Sequence, residues 1–465
     1  MDPPSHAAAA AAAAGRRPRV VLFPLPYQGH INPMLRLAAA LHARGLAVTI
    51  LHTETRAPDR RRLPAEFGLA TIRDAVPPEL AASGDVARFV LALNAGCAAP
   101  FRAFLAGARE RDRVACVIAD VDWFAPLAAA RELGVPALAL MTSSAAKLRV
   151  YLAFPRLEEK GYLPVRESNL DTPVDELPPF LVRDLHSMTD DMARYRAYAD
   201  LLSHMVAGIR HSSGLIINTF DAIETTSIKI IQHTLSSIPV FAVGPLHMIS
   251  PWVDSSLLPQ DRSCLDWLDT QHPGSVIYVS LGSLIAIDAG EFVEMACGLA
   301  GSKRPFLWVV RPGLVQGREF GGGDLPRQLE EEIRDRGRIV SWAPQQEVLK
   351  HLSVGAFVTH CGWNSTLESI SEGVPMICRP LAGDQLGTAR YVCEVWKVGV
   401  RVAEVENQLK RRDVQVAIEG VMSQNKREEI RKNMRELRDA AVKCTSKGGS
   451  TDESLQRLVD FIVSP

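Results

Sequence analysis

The residues best suited to chemistry fall in three short stretches of the chain. His30 follows an aliphatic run and sits between Gly29 and Ile31-Asn32-Pro33. An imidazole in a loop behind a strand end is suited to taking a proton near neutral pH. Asp120 and Asp122 follow a second aliphatic run, and a carboxylate there could fix the tautomer of such a base and stabilise its cation. Side chains two apart on an extended segment share a face, so spacing does not choose between them. In the third stretch, the run at 356–359 meets His360-Cys361-Gly362-Trp363-Asn364-Ser365. A helix starting there presents unpaired backbone N–H groups and a partial positive charge, which hold a phosphate without a metal. Gly362 keeps the turn free of a side chain, and Ser365 with Glu368 three residues on fits a capping box.

The elements that must position these groups are short Val-, Ile- and Leu-rich runs alternating with longer amphipathic stretches, the pattern of parallel sheets covered on both faces. Strands are expected at 19–24, 47–52, 114–119, 137–141, 214–218 and 240–243, then at 275–280, 306–310, 338–341, 356–359, 375–378 and 398–402. After the first strand, Asn32 can cap a helix whose first turn holds Pro33. Met34, Leu35, Leu37, Ala38 and Leu41 then follow at helical spacing, and Gly45 closes the unit. The stretch 244–261, with three prolines, interrupts the alternation and reads as a linker. Charged helices are expected over 410–443 and a last helix over 451–462. The fold class is α/β, two Rossmann-like domains whose parallel sheets face each other across a cleft, with ligands outside the carboxyl ends of the strands.

A chain of 465 residues exceeds what one core usually supports, so two domains are the default. The 52 Lys and Arg nearly cancel the 53 Asp and Glu, so no basic field gathers nucleic acid or anionic lipid. Eight scattered cysteines without a CxxC pair read as reduced thiols of the cytoplasm. The alanines at 7–14 precede Arg16, Arg17 and Arg19, the reverse of a secretory signal, so residues 1–17 are expected to be a disordered leader. No run of about 18 apolar residues suggests membrane insertion. A nicotinamide or flavin enzyme needs a GxGxxG turn after a strand, and none is present.

From Trp342 to Gln385, 44 residues read WAPQQEVLKHLSVGAFVTHCGWNSTLESISEGVPMICRPLAGDQ. This segment is similar along its full length to the signature box of the plant UDP-dependent small-molecule glycosyltransferases (family 1), and Gly29-His30-Ile31-Asn32-Pro33 resembles that family's first active-site loop. The resemblance implies the GT-B fold. Residues 18–245 would be an acceptor-binding domain, 246–262 the linker, 263–445 a UDP-sugar-binding domain, and 446–465 a helix returning to the first domain. It implies that Trp342 stacks on uracil, with the Ala343 backbone and the Gln345 side chain beside base and ribose, and that Glu368 accepts from the ribose hydroxyls. His360, Asn364 and Ser365, with the turn at Gly362 and with Ser283 in Leu281-Gly282-Ser283, would hold the diphosphate. Trp363, Asp384 and Gln385 would surround the sugar, and a Gln at that last position goes with glucose.

The resemblance makes His30 the general base and Asp120 its partner, with Asp122 as the rival. Asp120-Val121-Asp122 also spells DxD, which holds a cation in another glycosyltransferase architecture. Here the helix start and His360 account for the phosphate charge, so no metal and no cofactor are expected. Thr142, Ser143 and Ser144 are open between touching the ligands and capping a helix. Thr388 departs from the family's common Asn. The expected partners are UDP-glucose and a small hydrophobic acceptor, bound by a monomer. The competing readings are a catalytically silent UDP-sugar binder, which would keep the box and lose the base, and a hydrolase of UDP-glucose.

Overall fold

The computed structural model describes residues 17–464 except 56, 112–113, 187–190, 251–255, 257, 318–326 and 404–407; nearly all of the expected leader therefore lies outside the described residues.

The aliphatic runs form two wholly parallel sheets. The first contains β1 (Arg19–Phe23), β2 (Ala47–Thr53), β3 (Gly68–Ile72), β4 (Val114–Asp120), β5 (Ala137–Met141), β6 (Gly214–Ile217) and β7 (Val240–Ala242), in the order β3-β2-β1-β4-β5-β6-β7. The second contains β8 (Val276–Ser280), β9 (Phe306–Val309), β10 (Gly337–Val340), β11 (Val354–Thr359), β12 (Met376–Cys378) and β13 (Gly399–Arg401), in the order β10-β9-β8-β11-β12-β13. Each sheet thus reverses its winding once, between β1 and β4 in the first and between β8 and β11 in the second. Connections leave the two strands of such a pair in opposite directions, which opens a crevice at their carboxyl ends. His30 and Asp120 follow one such pair, Ser283 and His360 the other.

Eight helices matter for the site: α1 (Gln28–Ala43), α2 (Val86–Arg111), α3 (Ala145–Glu159), α4 (Met192–His211), α5 (Trp363–Glu372), α6 (Gln385–Arg390), α7 (Gln424–Thr445) and α8 (Ser450–Val463). Alternating residues of β1 divide between two cores, as a period of two requires. Val20 and Leu22 meet Met34, Leu37 and Leu41 of α1 and Leu455, Leu458 and Ile462 of α8. Val21 and Phe23 meet Leu93, Cys97 and Phe101 of α2 and Trp123. The last helix of the chain therefore covers the first sheet, and Thr451 at its start donates to the Gly244 carbonyl at 2.6 Å.

Three expectations need correction. β3 was not foreseen: its residues are mostly half-exposed on the sheet edge, so they lack the continuous apolar run of a central strand. Helix α2 is long and apolar enough to cross a membrane by length and composition, although no such run was expected. Its apolar face is occupied instead by the core, with Phe23 stacked between Phe101 at 5.8 Å and Trp123 at 4.3 Å between ring centroids. Helix α1 begins at Gln28, so Asn32 is not its cap and Pro33 lies past its first turn. Tyr27 holds the cap position without a side-chain bond, and its carbonyl accepts from the N–H groups of His30 and Ile31, each at 2.9 Å.

Phe101→Ala removes a fully buried ring and should cost about 3–5 kcal/mol, read as a lower denaturant midpoint with an unchanged slope. A midpoint within error of the parent would place α2 outside the core.

Candidate active site

His30 is in the first turn of α1, and Asp120 is the last residue of β4 beside β1, in register through Phe23 and Ala119. The imidazole Nδ1 lies 2.7 Å from Asp120 Oδ2 and 3.9 Å from Asp122 Oδ2. The geometry selects Asp120, which is fully buried while His30 keeps 28% of its side chain exposed. Thr142 Oγ1 stands 3.2 Å from the same nitrogen, which leaves Nε2 as the imidazole's other basic atom. Burial alone would push this imidazole down. The charge and hydrogen bond of Asp120, then the charges of Asp122 and Asp384, outweigh it and raise the imidazole to about 9. Burial and the Asp120 charge push Asp122 well above the usual carboxylate range, against the pull of His30. Asp120 Oδ1 also accepts from the Asp122 N–H at 3.2 Å. Asn94 of α2, which sequence gave no reason to single out, fastens this loop by donating to the Asp122 carbonyl and accepting from the Ala125 N–H.

In the second domain, β11 turns into α5 through Cys361, whose φ of 65° is an uncommon conformation for a residue with a side chain. Its N–H bonds to Thr359 Oγ1 at 3.1 Å. Gly362 has an ordinary φ of –61° and caps α5 with no side-chain bond. The glycine is needed for another reason: a Cβ on Gly362 would stand 2.4 Å from His360 Nε2, and one on Gly282 2.5 Å from the same atom. The two glycines make the slot that holds His360. Arg311 fastens one side of it by donating to the Gly282 and Ile285 carbonyls. His360 is depressed to about 4, burial being the main cause and Asp384 partly opposing it. Its buried Nδ1 has no hydrogen-bond partner among the described residues. Ser283 is exposed in the turn after β8.

The expected capping box at Ser365 and Glu368 does not form, because α5 starts two residues earlier and Ser365 is already inside it. Both residues are instead bound to the Trp342-Ala343-Pro344-Gln345 segment. Gln345 Nε2 donates to Ser365 Oγ at 2.9 Å and to Glu368 Oε2 at 2.7 Å, and Gln346 Nε2 donates to Glu368 Oε1 at 2.8 Å. Burial raises Glu368, with these amides opposing. Trp342 is half-buried beside buried Ala343.

Trp363 and Asn364 have their side chains engaged with the first domain. The Trp363 ring is 4% exposed and its Nε1 donates to the Asn218 carbonyl of the first domain at 2.7 Å, so toward a ligand it offers its backbone N–H. Asn364 Nδ2 donates to the Gly29 carbonyl at 2.8 Å, and its Oδ1 accepts from Asn218 Nδ2 at 3.4 Å. Asp384 precedes α6 and accepts from Ser143 Oγ at 2.5 Å. Gln385 Oε1 accepts from the N–H groups of Leu381 and Ala382, which aims its amide nitrogen as the free end. The hydroxyl of Thr388 bonds back to the Asp384 carbonyl at 3.0 Å. The three hydroxyls left open in sequence thus divide: Thr142 and Ser143 touch the site, and Ser144 caps α3 by accepting from the Lys147 N–H.

Donor atoms of His30, Asp120 and Asp122 lie within 4.8 Å of one another, close enough to hold a cation. A metal would have to displace the His30–Asp120 hydrogen bond.

Residues 258–444 match the family model described as UDP-glucoronosyl and UDP-glucosyl transferase. The chain is 50% identical over 469 residues to DIMBOA UDP-glucosyltransferase BX9 of Zea mays, covering 98% of this chain and 100% of that one. It is 40% identical over 450 residues to UDP-glycosyltransferase 76B1 of Arabidopsis thaliana, covering 96% and 98%. Among solved structures it is similar to Phytolacca americana UGT2 complexed with UDP-2fluoro-glucose and pterostilbene, with a TM-score of 0.81, 31% identity and coverage of 96% and 100%. It is also similar to Os79 of O. sativa in complex with UDP, with a TM-score of 0.80, 28% identity and coverage of 95% and 100%.

In the free protein His30 should hold its proton through neutral pH and release it near pH 9, while His360 stays neutral down to about pH 4. NMR titration of labelled histidines reads both. Asp120→Asn removes the main raising charge and should lower the His30 inflection by about 1 unit or more; an inflection near 6.5 in both proteins would contradict the pairing.

Proposed function

The chain belongs to the plant family 1 UDP-glycosyltransferases and is a UDP-glucosyltransferase, and we propose that it transfers glucose with inversion from UDP-glucose to a hydroxyl or carboxyl of a small hydrophobic acceptor. His30 is the general base and Asp120 its partner. One observation carries this reading: the His30–Asp120 pair, 2.7 Å apart at one winding reversal, is joined to the start of α5 at the other by the 2.8 Å Asn364–Gly29 bond.

His30 Nε2 takes the acceptor proton while Nδ1–H stays on Asp120, which stabilises the imidazolium formed. The acceptor oxygen bonds to the anomeric carbon from the face opposite UDP. The bond from that carbon to the diphosphate oxygen breaks, and its electron pair leaves with UDP. The charge gained by the diphosphate falls on the unpaired N–H groups of Trp363, Asn364 and Ser365 at the helix start. His360 and Ser283 bind the same group. Trp342 stacks on uracil, Glu368 with Gln345 takes the ribose hydroxyls, and Asp384 with the Gln385 amide takes the sugar.

The charge is met without a metal, and the protein works as a cytosolic monomer. All eight cysteines are free, in keeping with a reducing compartment. DIMBOA, the acceptor in the names of two relatives at 50% and 51% identity, belongs in the first acceptor panel.

His30→Ala should lower turnover by about 100-fold or more while leaving UDP-glucose affinity within about twofold, measured by UDP release and calorimetry. Unchanged turnover removes His30 from the chemistry. Glucose transfer in excess EDTA should equal that in magnesium, and strict dependence on a divalent cation would overturn the metal-free reading.

A further inference from the structure

Lys147 is a buried cation that the mechanism above does not use. It is 5% exposed and sits in the first turn of α3, where both burial and the positive end of the helix oppose an ammonium. The start of α3 is pinned: Ser144 caps it, and the buried Glu224 accepts from the N–H groups of Ala145 and Ala146 at 2.8 and 2.7 Å. The lysine therefore cannot relax by shifting its helix. Its Nζ donates to the Leu185 carbonyl at 3.0 Å and, among the described residues, to no other acceptor. It lies 5.3 Å from the centroid of the Tyr151 ring one turn along. An ammonium has three N–H donors, so two are unspent. Burial pulls Lys147 down to about 8 while the Asp384 charge opposes it, which leaves the ammonium form predominant at neutral pH.

Lys147 comes a few residues after the two hydroxyls that touch the site: Thr142 Oγ1 stands 3.2 Å from His30 Nδ1, and Ser143 Oγ donates to Asp384 Oδ2 at 2.5 Å. The Asp384 carboxylate acts on both Lys147 and His30. Tyr151 and Tyr198 of α4 are raised first by burial and then by charges that include Asp122 and Asp384. A methionine would fill the Lys147 position at no desolvation cost, so stability does not account for the charge.

We propose that Lys147 determines acceptor specificity, its ammonium receiving an oxyanion carried by the acceptor apart from the hydroxyl that His30 deprotonates. The proposal rests on the glucosyl-transfer reading above. It assigns the acceptor two oxygens in different roles, a nucleophile at His30 and an anion at Lys147.

The test compares matched phenols, 3- and 4-hydroxybenzoates against the corresponding hydroxybenzamides, with the full chain and saturating UDP-glucose. The wild type should favour the carboxylates. Lys147→Met should raise KM for the carboxylates by about tenfold or more, the worth of a charge-assisted hydrogen bond, and change kcat/KM for the amides by less than about twofold. Lys147→Arg should restore most of the carboxylate preference, and UDP affinity should be common to all three proteins. Equal losses on both series, as a structural role would give, overturn the proposal while transfer stands. A wild type that favours the amides does the same without relying on a variant. Failure of the wild type to glucosylate either series, or DIMBOA, overturns the acceptor reading and this proposal with it.

Discussion

The alignment of the two sides of the candidate site depends on a hydrogen bond that a proline makes available. Inside a helix the Gly29 carbonyl would accept from the N–H four residues on, but that residue is Pro33, which has none. The carbonyl is left to the other domain, and Asn364 takes it at 2.8 Å. Asn364 is the second residue of α5, whose first turn is the proposed diphosphate seat, and Gly29 adjoins His30, the proposed base. Trp363 and Asn218 make a second connection beside it. Two neutral hydrogen bonds contribute little net stability, about 1 kcal/mol each. What they supply is registration, since groups arriving from separate sheets must meet within a fraction of an ångström.

The electrostatics of the two sides are opposite: His30 is raised and His360 is depressed. On the acceptor side the charge and hydrogen bond of Asp120, with the charges of Asp122 and Asp384, raise His30 to about 9, so in the proposed mechanism a stored proton leaves before the base acts. Burial and the Asp120 charge push Asp122 well above the usual carboxylate range, against the pull of His30, as expected where two carboxylates share one corner. On the donor side Arg311, beside His360, spends its guanidinium on the carbonyls of Gly282, Ile285 and Pro312. The positive character of the turn at Gly362 comes from backbone N–H groups, beside a His360 that is held between two glycines and stays neutral. That suits a leaving group that must depart as well as bind.

Much of this was legible in sequence, and the limits have physical causes. The central strands were read to within one or two residues because burial on both faces leaves an unbroken aliphatic run. β3 was not, since an edge strand with one exposed face carries no such run. His30, Asp120 and the turn at 360–365 could be singled out because their residue types stand beside strand ends, and the structure brings His30 and Asp120 to 2.7 Å. Both capping assignments failed where a loop is pulled by a partner distant in sequence: Ser365 and Glu368 answer to Gln345 and Gln346, and Asn32 lies within a helix that begins at Gln28. Asn94, Asn218 and Arg311 carried no local signal, because each acts through contacts that exist only once the sheets have formed.

The most direct measurement is a crystal structure of the complex with UDP-2-fluoroglucose and a phenolic acceptor. The account requires the diphosphate oxygens within hydrogen-bond distance of the N–H groups at the start of α5. His30 Nε2 must face the acceptor oxygen on the far side of the anomeric carbon, and the Asn364–Gly29 bond must be kept. Uridine bound away from Trp342 and Glu368, or an imidazole turned from the acceptor with both ligands present, would contradict it.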